Sequence, residues 1–267
     1  MRRTLMSNDI PFIHIHSYHA DVLAFSTTRL LGCSEGKYGA FNINPYCGDN
    51  PEHVEANHRS LADMLGIAPE SVILPHQTHE TRSAVIDEKF LAMKPAERQA
   101  ALEGIDTVMT DLTKVCVGVS TADCIPLLLH DRSHHAVCAV HAGWRGTVAR
   151  IAQKAVADMG SAYGTKPHDI TAYIGPGISL AAFEVGDEVY EAFANAGFDM
   201  PAISQKQDKW HIDLPQCNAI QLYEAGVLPA NIQPSGICTY ASHETYFSAR
   251  RLGTASGRIY NGIMLTQ

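Results

Sequence analysis

The 267-residue chain carries 28 acidic against 20 basic residues, a formal net charge of −8, with 46% hydrophobic and 18% charged residues. Such a length builds one large domain or two small ones with a sizeable core, and no run approaches the ~18 consecutive apolar residues of a membrane helix. The acidic balance excludes a general nucleic-acid or anionic-membrane surface, which needs clustered Lys and Arg, yet 14 His and seven Cys are a heavy load of metal-capable side chains.

The amino terminus, MRRTLMSNDIPF, has two arginines but no apolar stretch or small-residue cleavage site of a secretory leader. Cys33, Cys47, Cys116, Cys124, Cys138, Cys217 and Cys238 are odd in number, widely spaced and without a CxxC, a poor disulfide framework. Both features predict a reducing, cytoplasmic setting. Asn50-Pro51 opens a helix running to Leu65 with Gly66 as its stop. Its inward stripe is Val54, Asn57 or His58, Leu61 and Leu65, with a polar member that either packs as a hydrogen-bonded group or looks into a site. Residues 71–74 and 83–86 are strand-like, and 95–103 make a surface helix ending at Gly104. Between 115 and 141, three β-branched or aliphatic runs (VCVGVS, IPLLLH, AVCAVH) predict adjacent strands of a buried sheet. Thr147 is placed to cap a helix with Val148, Ile151, Ala152, Ala155, Val156 and Met159 on one face and Gly160 at its end. Strand 171–178 ends in Gly-Pro-Gly, helices follow at 187–196 and 214–225, the second capped by Asp213, and 236–240, 245–249 and 258–265 are β-like. The alternation predicts an α+β fold with two packed sheets and no domain boundary, hence a single domain over 1–267.

Three segments place a metal-capable side chain at a turn beside a strand: His79 in HQTH, Cys124 in TADC and His141 at the end of AVCAVH. They lie 45 and 17 residues apart, too far for a zinc finger, so the fold must assemble them. Loops at strand ends on a rigid sheet are where functional residues concentrate. Two His and one Cys leave a fourth tetrahedral position open, the pattern of a catalytic rather than a structural zinc. Asp123 either supports a ligand histidine or caps its turn. His76, three residues before His79, points to another side, so one of the two is expected to ligate. Arg145, before the predicted 148–159 helix, is an anion candidate.

TADCIPLLL, VHAGWRGT, IGPGIS…FEVGDEV and CTY…YFSARR occur in this order, with NIN…CGDNPEHVEAN upstream. Over residues 22–265 the chain resembles the family described as multicopper polyphenol oxidases or laccase-domain proteins, whose members include zinc-dependent purine nucleoside phosphorylases. The resemblance implies a four-layer α/β/β/α sandwich with mixed β-sheets, and a metal held by His79 (in the Gln77-x-His79 segment), Cys124 and His141. It further implies phosphorolysis of adenosine, inosine, guanosine and methylthioadenosine by a single chain, with adenosine deamination at the same site. Purine nucleosides and phosphate are then the expected partners, with no nucleic acid and no membrane. The chain departs from the family at Asn57-His58-Arg59, Thr28-Arg29-Leu30-Leu31-Gly32 and Phe247-Ser248-Ala249-Arg250-Arg251. Arg145, Arg29 and Arg59 are the phosphate candidates, and Asn42 and Glu184 candidates for ribose or base. H-x-E…P-C-x-x-C, the signature of other zinc deaminases, is absent.

Two other enzymatic readings fit parts of the pattern. His₂Cys is also the first shell of a blue-copper site, so copper and a laccase-like polyphenol oxidase are one alternative; a trinuclear cluster needs many paired His, and the chain offers His14-Ile15-His16. Cys124 and His141 as nucleophile and base of a hydrolase acting on cell-wall precursors are the other. A third possibility is a structural zinc in a binding protein.

Overall fold

The computed structural model describes residues 21–267 and the backbone of residues 13–18. The first half of the chain forms β1 (Ile13–Tyr18), β2 (Val22–Thr27), α1 (Pro51–Leu65), β3 (Val72–Ile73), β4 (Ser83–Val85), α2 (Glu88–Ala92), α3 (Pro95–Ala101), β5 (Thr107–Thr110), β6 (Cys116–Thr121), β7 (Ile125–Asp131) and β8 (Ala136–Ala142). The second half forms α4 (Trp144–Val148), α5 (Ile151–Tyr163), β9 (Ile170–Ile174), β10 (Glu184–Val185), α6 (Asp187–Asn195), α7 (Met200–Ile203), β11 (Ser204–Lys206), β12 (Trp210–Ile212), α8 (Leu214–Glu224), β13 (Ile232–Pro234), α9 (Ala249–Leu252) and β14 (Ile259–Leu265).

Two mixed sheets carry the fold: β1-β2-β14-β6-β3 and β13-β9-β7-β8-β5-β4, with a small β10-β12-β11 sheet beside them. β14 pairs antiparallel with both β2 and β6, and β7 with both β8 and β9, while β3, β4 and β13 join parallel at edges. Side chains alternate across each strand, which gives three buried layers. Val117, Val119 and Ile263 of one sheet meet Leu128, Val137 and Ala139 of the other. The outer face of the first sheet, through Phe25, Tyr260 and Met264, packs on Leu61, Ala62 and Leu65 of α1. The outer face of the second, through Leu127, Leu129 and Val140, packs on α5, α6 and α8. The expected α+β architecture, layered α/β/β/α, holds.

Local signals explain α1: the Asn50 side chain accepts the Glu52 N–H, Pro51 occupies the first turn, and Gly66 ends the helix at φ 68. Its buried polar residue, Asn57, is a structural staple. Its amide donates to Ser34 Oγ and to the Ala40 and Asn42 carbonyls, while its Oδ1 accepts the Cys33 N–H.

Four expectations need correction. The three apolar runs of 115–141 are not neighbours in one sheet: β6 lies in the first, β7 and β8 in the second, and the chain crosses between sheets at Ala122–Cys124. Thr147 is no cap; it is buried inside α4, where its hydroxyl and carbonyl accept from Asn218 and Gln221 of α8. Arg150, at φ 63, breaks α4 from α5, and α5 continues past Gly160 to a left-handed stop at Gly164. Of the three β-like runs after 235, only Ile259–Leu265 is a strand, because Cys238 makes an isolated bridge with Gly177 and the run at 245–249 turns into α9.

Candidate metal centre

The three residues singled out by the sequence converge. His79 lies in the loop from β3 to β4 with a left-handed backbone (φ 65), Cys124 in the turn that crosses between sheets, and His141 near the end of β8, paired with Pro126. One ligand atom from each lies within 4.8 Å of the others. Cys124 Sγ is 3.8 Å from His79 Nε2, and the two imidazoles meet edge-on with centroids 4.8 Å apart. Burial is graded: His141 is buried, Cys124 half-buried and His79 exposed, so the cluster opens on one side. Gly143 completes it, because a Cβ there would sit 2.8 Å from His79 Cδ2 and 3.2 Å from Cys124 Sγ.

A carboxylate that sequence reading did not find organises both histidines. Asp106, fully buried, accepts His141 Nδ1–H at 2.7 Å and the His79 backbone N–H at 3.1 Å on Oδ1. Its Oδ2 accepts the Thr78 and Glu80 N–H groups, and its own carbonyl accepts the His141 N–H. Because Nδ1 is committed to Asp106, Nε2 is the His141 nitrogen left to ligate a metal once it gives up its proton. No local pattern marks Asp106: in EGIDTVMT it reads as an ordinary turn residue before a strand. Asp123 takes the second of its two anticipated roles. Its carboxylate accepts Thr239 Oγ1–H and the Arg250 N–H, both at 2.7 Å, fixing the Cys124 turn at a backbone φ of 91.

The electrostatics follow from this packing. Burial pushes the Cys124 thiol up, but the charge of His141 and hydrogen bonds from both histidines outweigh it and bring it to about 6. Burial pulls His141 down, but the Cys124 thiolate and Asp106 raise it to about 9. Each group thus favours the charged form of the other, the thiolate of Cys124 and the imidazolium of His141. Cys116, buried without such a partner, is pushed up to about 12 and is inert.

The cluster forms one wall of a cavity of about 560 Å³, within the ~300–1,000 Å³ usual for small-molecule sites. On another wall Tyr46 stacks on His76 at 4.2 Å, and His76 is held by Glu103 at 2.8 Å, pointing away from ligation. Gln77 lines the cavity and grips Ser120, accepting its N–H at 2.7 Å and donating to its carbonyl at 2.9 Å. A second cavity of about 530 Å³ opens beside α1; its lining is mostly apolar and holds none of the triad.

The other anticipated contacts do not line the triad's cavity. Arg145 is exposed on α4 with its guanidinium over the Trp144 ring. Arg59 is exposed and pairs with Glu55 along α1. Arg29 folds over Phe247 and donates to the Gly39 and His243 carbonyls. Asn42 is buried and bonds Asp49, while Glu184 pairs with Lys209 at 2.9 Å. The arginines that do line the cavity are Arg250 and Arg258.

Among the described residues, the other convergent group is Asp131, His134 and Asp169, where Asp131 is occupied by the Ser133 and His134 N–H groups and the His134 ring. Neither group is a multi-histidine copper cluster, and the side chains of His14 and His16 lie outside the described residues. No helix among the described residues is long and apolar enough to cross a membrane.

Comparison with known proteins places the whole chain among relatives. A family model described as multi-copper polyphenol oxidoreductase laccase matches residues 23–266. A protein of Bacteroides thetaiotaomicron named purine nucleoside phosphorylase is 46% identical over 252 residues, 93% of each chain. One named adenosine deaminase RL5, from an unknown prokaryotic organism, is 44% identical over 91% of this chain and 93% of that protein. The crystal structure of Bacillus licheniformis hypothetical protein YfiH superposes with a TM-score of 0.89 at 29% identity, covering 97% of this chain and 98% of that one. The chain thus belongs to the laccase-like polyphenol oxidase family, among relatives that carry purine nucleoside phosphorylase and adenosine deaminase names.

Proposed function

We propose that the protein is a zinc-dependent purine nucleoside phosphorylase acting on adenosine, inosine, guanosine and methylthioadenosine, and that it also deaminates adenosine at the same site. The observation that carries this is the convergence of His79, Cys124 and His141 on one wall of a nucleoside-sized cavity. The names of the relatives point the same way. The donor set fits zinc. With Zn–S near 2.3 Å and Zn–N near 2.05 Å, tetrahedral ligands lie about 3.6 Å apart, against 3.8 Å between Cys124 Sγ and His79 Nε2.

In phosphorolysis a phosphate oxygen forms a bond to C1′ of the ribose as the C1′–N9 bond breaks. The electron pair leaves with N9, the purine takes up a proton, and the products are free base and ribose 1-phosphate. Positive charge builds on the sugar along the way, as in other glycosidic cleavages. A bound zinc supplies Lewis acidity toward a substrate oxygen or nitrogen. His79, Cys124 and His141 would hold it, with Asp106 engaging His141 Nδ1 and so leaving Nε2 for the metal. Asp123 and Gly143 keep Cys124 and His79 at their separations.

Metal analysis of the purified protein, combined with adenosine and inosine incubations with and without phosphate, tests the proposal. Stoichiometric zinc and ribose 1-phosphate formed only with phosphate are expected; free ribose in either case makes it a hydrolase. The closeness of Cys124 to His141, with Asp106 behind the imidazole, favours one second reading, a Cys124 nucleophile. That reading requires activity to survive zinc removal.

A further inference from the structure

We infer that Arg250 and Arg258 form the oxyanion subsite of this cavity and bind inorganic phosphate, an assignment that rests on the phosphorylase reading. In a chain of net charge −8, this cavity runs against the overall sign. Its Arg, Lys, Asp and Glu lining residues are Arg250, Arg258 and Asp123. Both oxygens of Asp123 are already engaged, by Thr239 and by the Arg250 backbone N–H. Among the described residues neither guanidinium makes an ion pair. Arg250 Nη1 donates to the Glu184 carbonyl at 3.0 Å, and Arg258 donates to the carbonyls of Thr254, Ser256 and Gly257. Carbonyls hold the arms in place without neutralising them; Asp123 and, toward Arg250, the Glu184 carboxylate offset part of this charge, and the two guanidinium groups still leave the charged lining residues net positive. A planar guanidinium with spare N–H groups is suited to a tetrahedral oxyanion.

Both arginines are also fixed relative to the triad. The carboxylate that sets the Cys124 turn accepts the Arg250 N–H, and buried Asn42 accepts the Arg258 N–H at 3.1 Å. Asp123 is thus a positioning residue joining the thiolate turn to the arginine loop, and Asn42 does the same for Arg258. Arg145, Arg29 and Arg59 have no comparable placement, since none lines the cavity.

A phosphate monoester presents the same chemistry, so the test separates the two sources. Arg258 ties three carbonyls and its removal risks the fold; Arg250→Gln is therefore the primary variant, with Arg250→Lys and Arg258→Lys beside it. Zinc content and melting temperature verify each protein. Arg250→Gln is expected to raise the KM for phosphate about 10- to 100-fold, the cost of a charge-assisted bond, with the KM for inosine within about twofold of its original value. Arg250→Lys recovers part of the loss. An unchanged phosphate KM in both Arg250→Gln and Arg258→Lys overturns the subsite while leaving the phosphorylase reading intact. Calorimetric titration with inorganic phosphate gives a readout independent of turnover. Phosphate binding that is absent from the zinc-loaded original protein, or equal in the original and Arg250→Gln, overturns it as well. Binding that needs Arg250, in a protein that makes no ribose 1-phosphate, supports the subsite and sinks the phosphorylase reading instead. Adenosine 5′-monophosphate that binds through Arg250 and is not displaced by inorganic phosphate overturns the assignment to free phosphate.

Discussion

Asp106→Asn is the most informative single change at the metal centre. The carboxylate, 0% exposed, accepts four N–H groups, two on each oxygen. An asparagine oxygen can serve one pair, but its NH₂ then faces the other pair donor to donor. Each stranded donor costs about 1–3 kcal/mol, so two cost about 2–6 kcal/mol. At roughly 2–4 °C per kcal/mol for a chain of this size, melting falls by at least about 4 °C. Whichever way the amide turns, it disturbs the His141 ring or the backbone at His79. Lost support of a ligand histidine typically weakens metal binding about 10- to 100-fold. Zinc affinity measured by competition against a chromophoric chelator reads this directly, alongside a melting curve without metal. A variant that melts lower but keeps the original zinc affinity would refute the claim that Asp106 organises the ligands, leaving it a purely structural group.

Gly143→Ala should reduce zinc occupancy well below one per chain, because its Cβ would meet His79 Cδ2 at 2.8 Å; full occupancy by metal analysis contradicts that crowding. Zinc affinity should rise with pH up to about 9, since the Cys124 thiolate and Asp106 raise His141 and its proton must leave before Nε2 can ligate. Proton release on zinc binding, followed calorimetrically, should fall as pH rises, and a pH-independent affinity contradicts the pairing. Cys124→Ala and His141→Ala should fold, with circular dichroism unchanged, yet bind no stoichiometric zinc and turn nothing over; unfolding of both would point to a structural metal.

What the sequence makes legible tracks the range of the interactions. Helix α1 is written in adjacent residues, Asn50, Pro51 and Gly66, and folds as read. The strand character of 115–141 is equally local, but β6 pairs with β3 and with β14, the latter more than a hundred residues away, so its sheet cannot be read from the run itself. Gly160 reads as a stop, yet an interior glycine costs a helix only about 1 kcal/mol, and packing of Ile151, Val156 and Met159 carries α5 through it. His79, Cys124 and His141 could be chosen because their chemistry is uncommon at turns. Asp106, Arg250 and Arg258 could not, because acids and arginines are common in loops and only the tertiary fold gives these three their partners.

The central claim is phosphorolysis, and oxygen labelling tests it most directly. Zinc-loaded protein is incubated with inosine and inorganic phosphate carrying ¹⁸O at every oxygen, and the sugar product is weighed by mass spectrometry. Attack of phosphate oxygen on C1′ predicts ribose 1-phosphate retaining the whole label, with hypoxanthine in equal amount. Unlabelled free ribose, or hypoxanthine formed at the same rate without phosphate, would contradict the account.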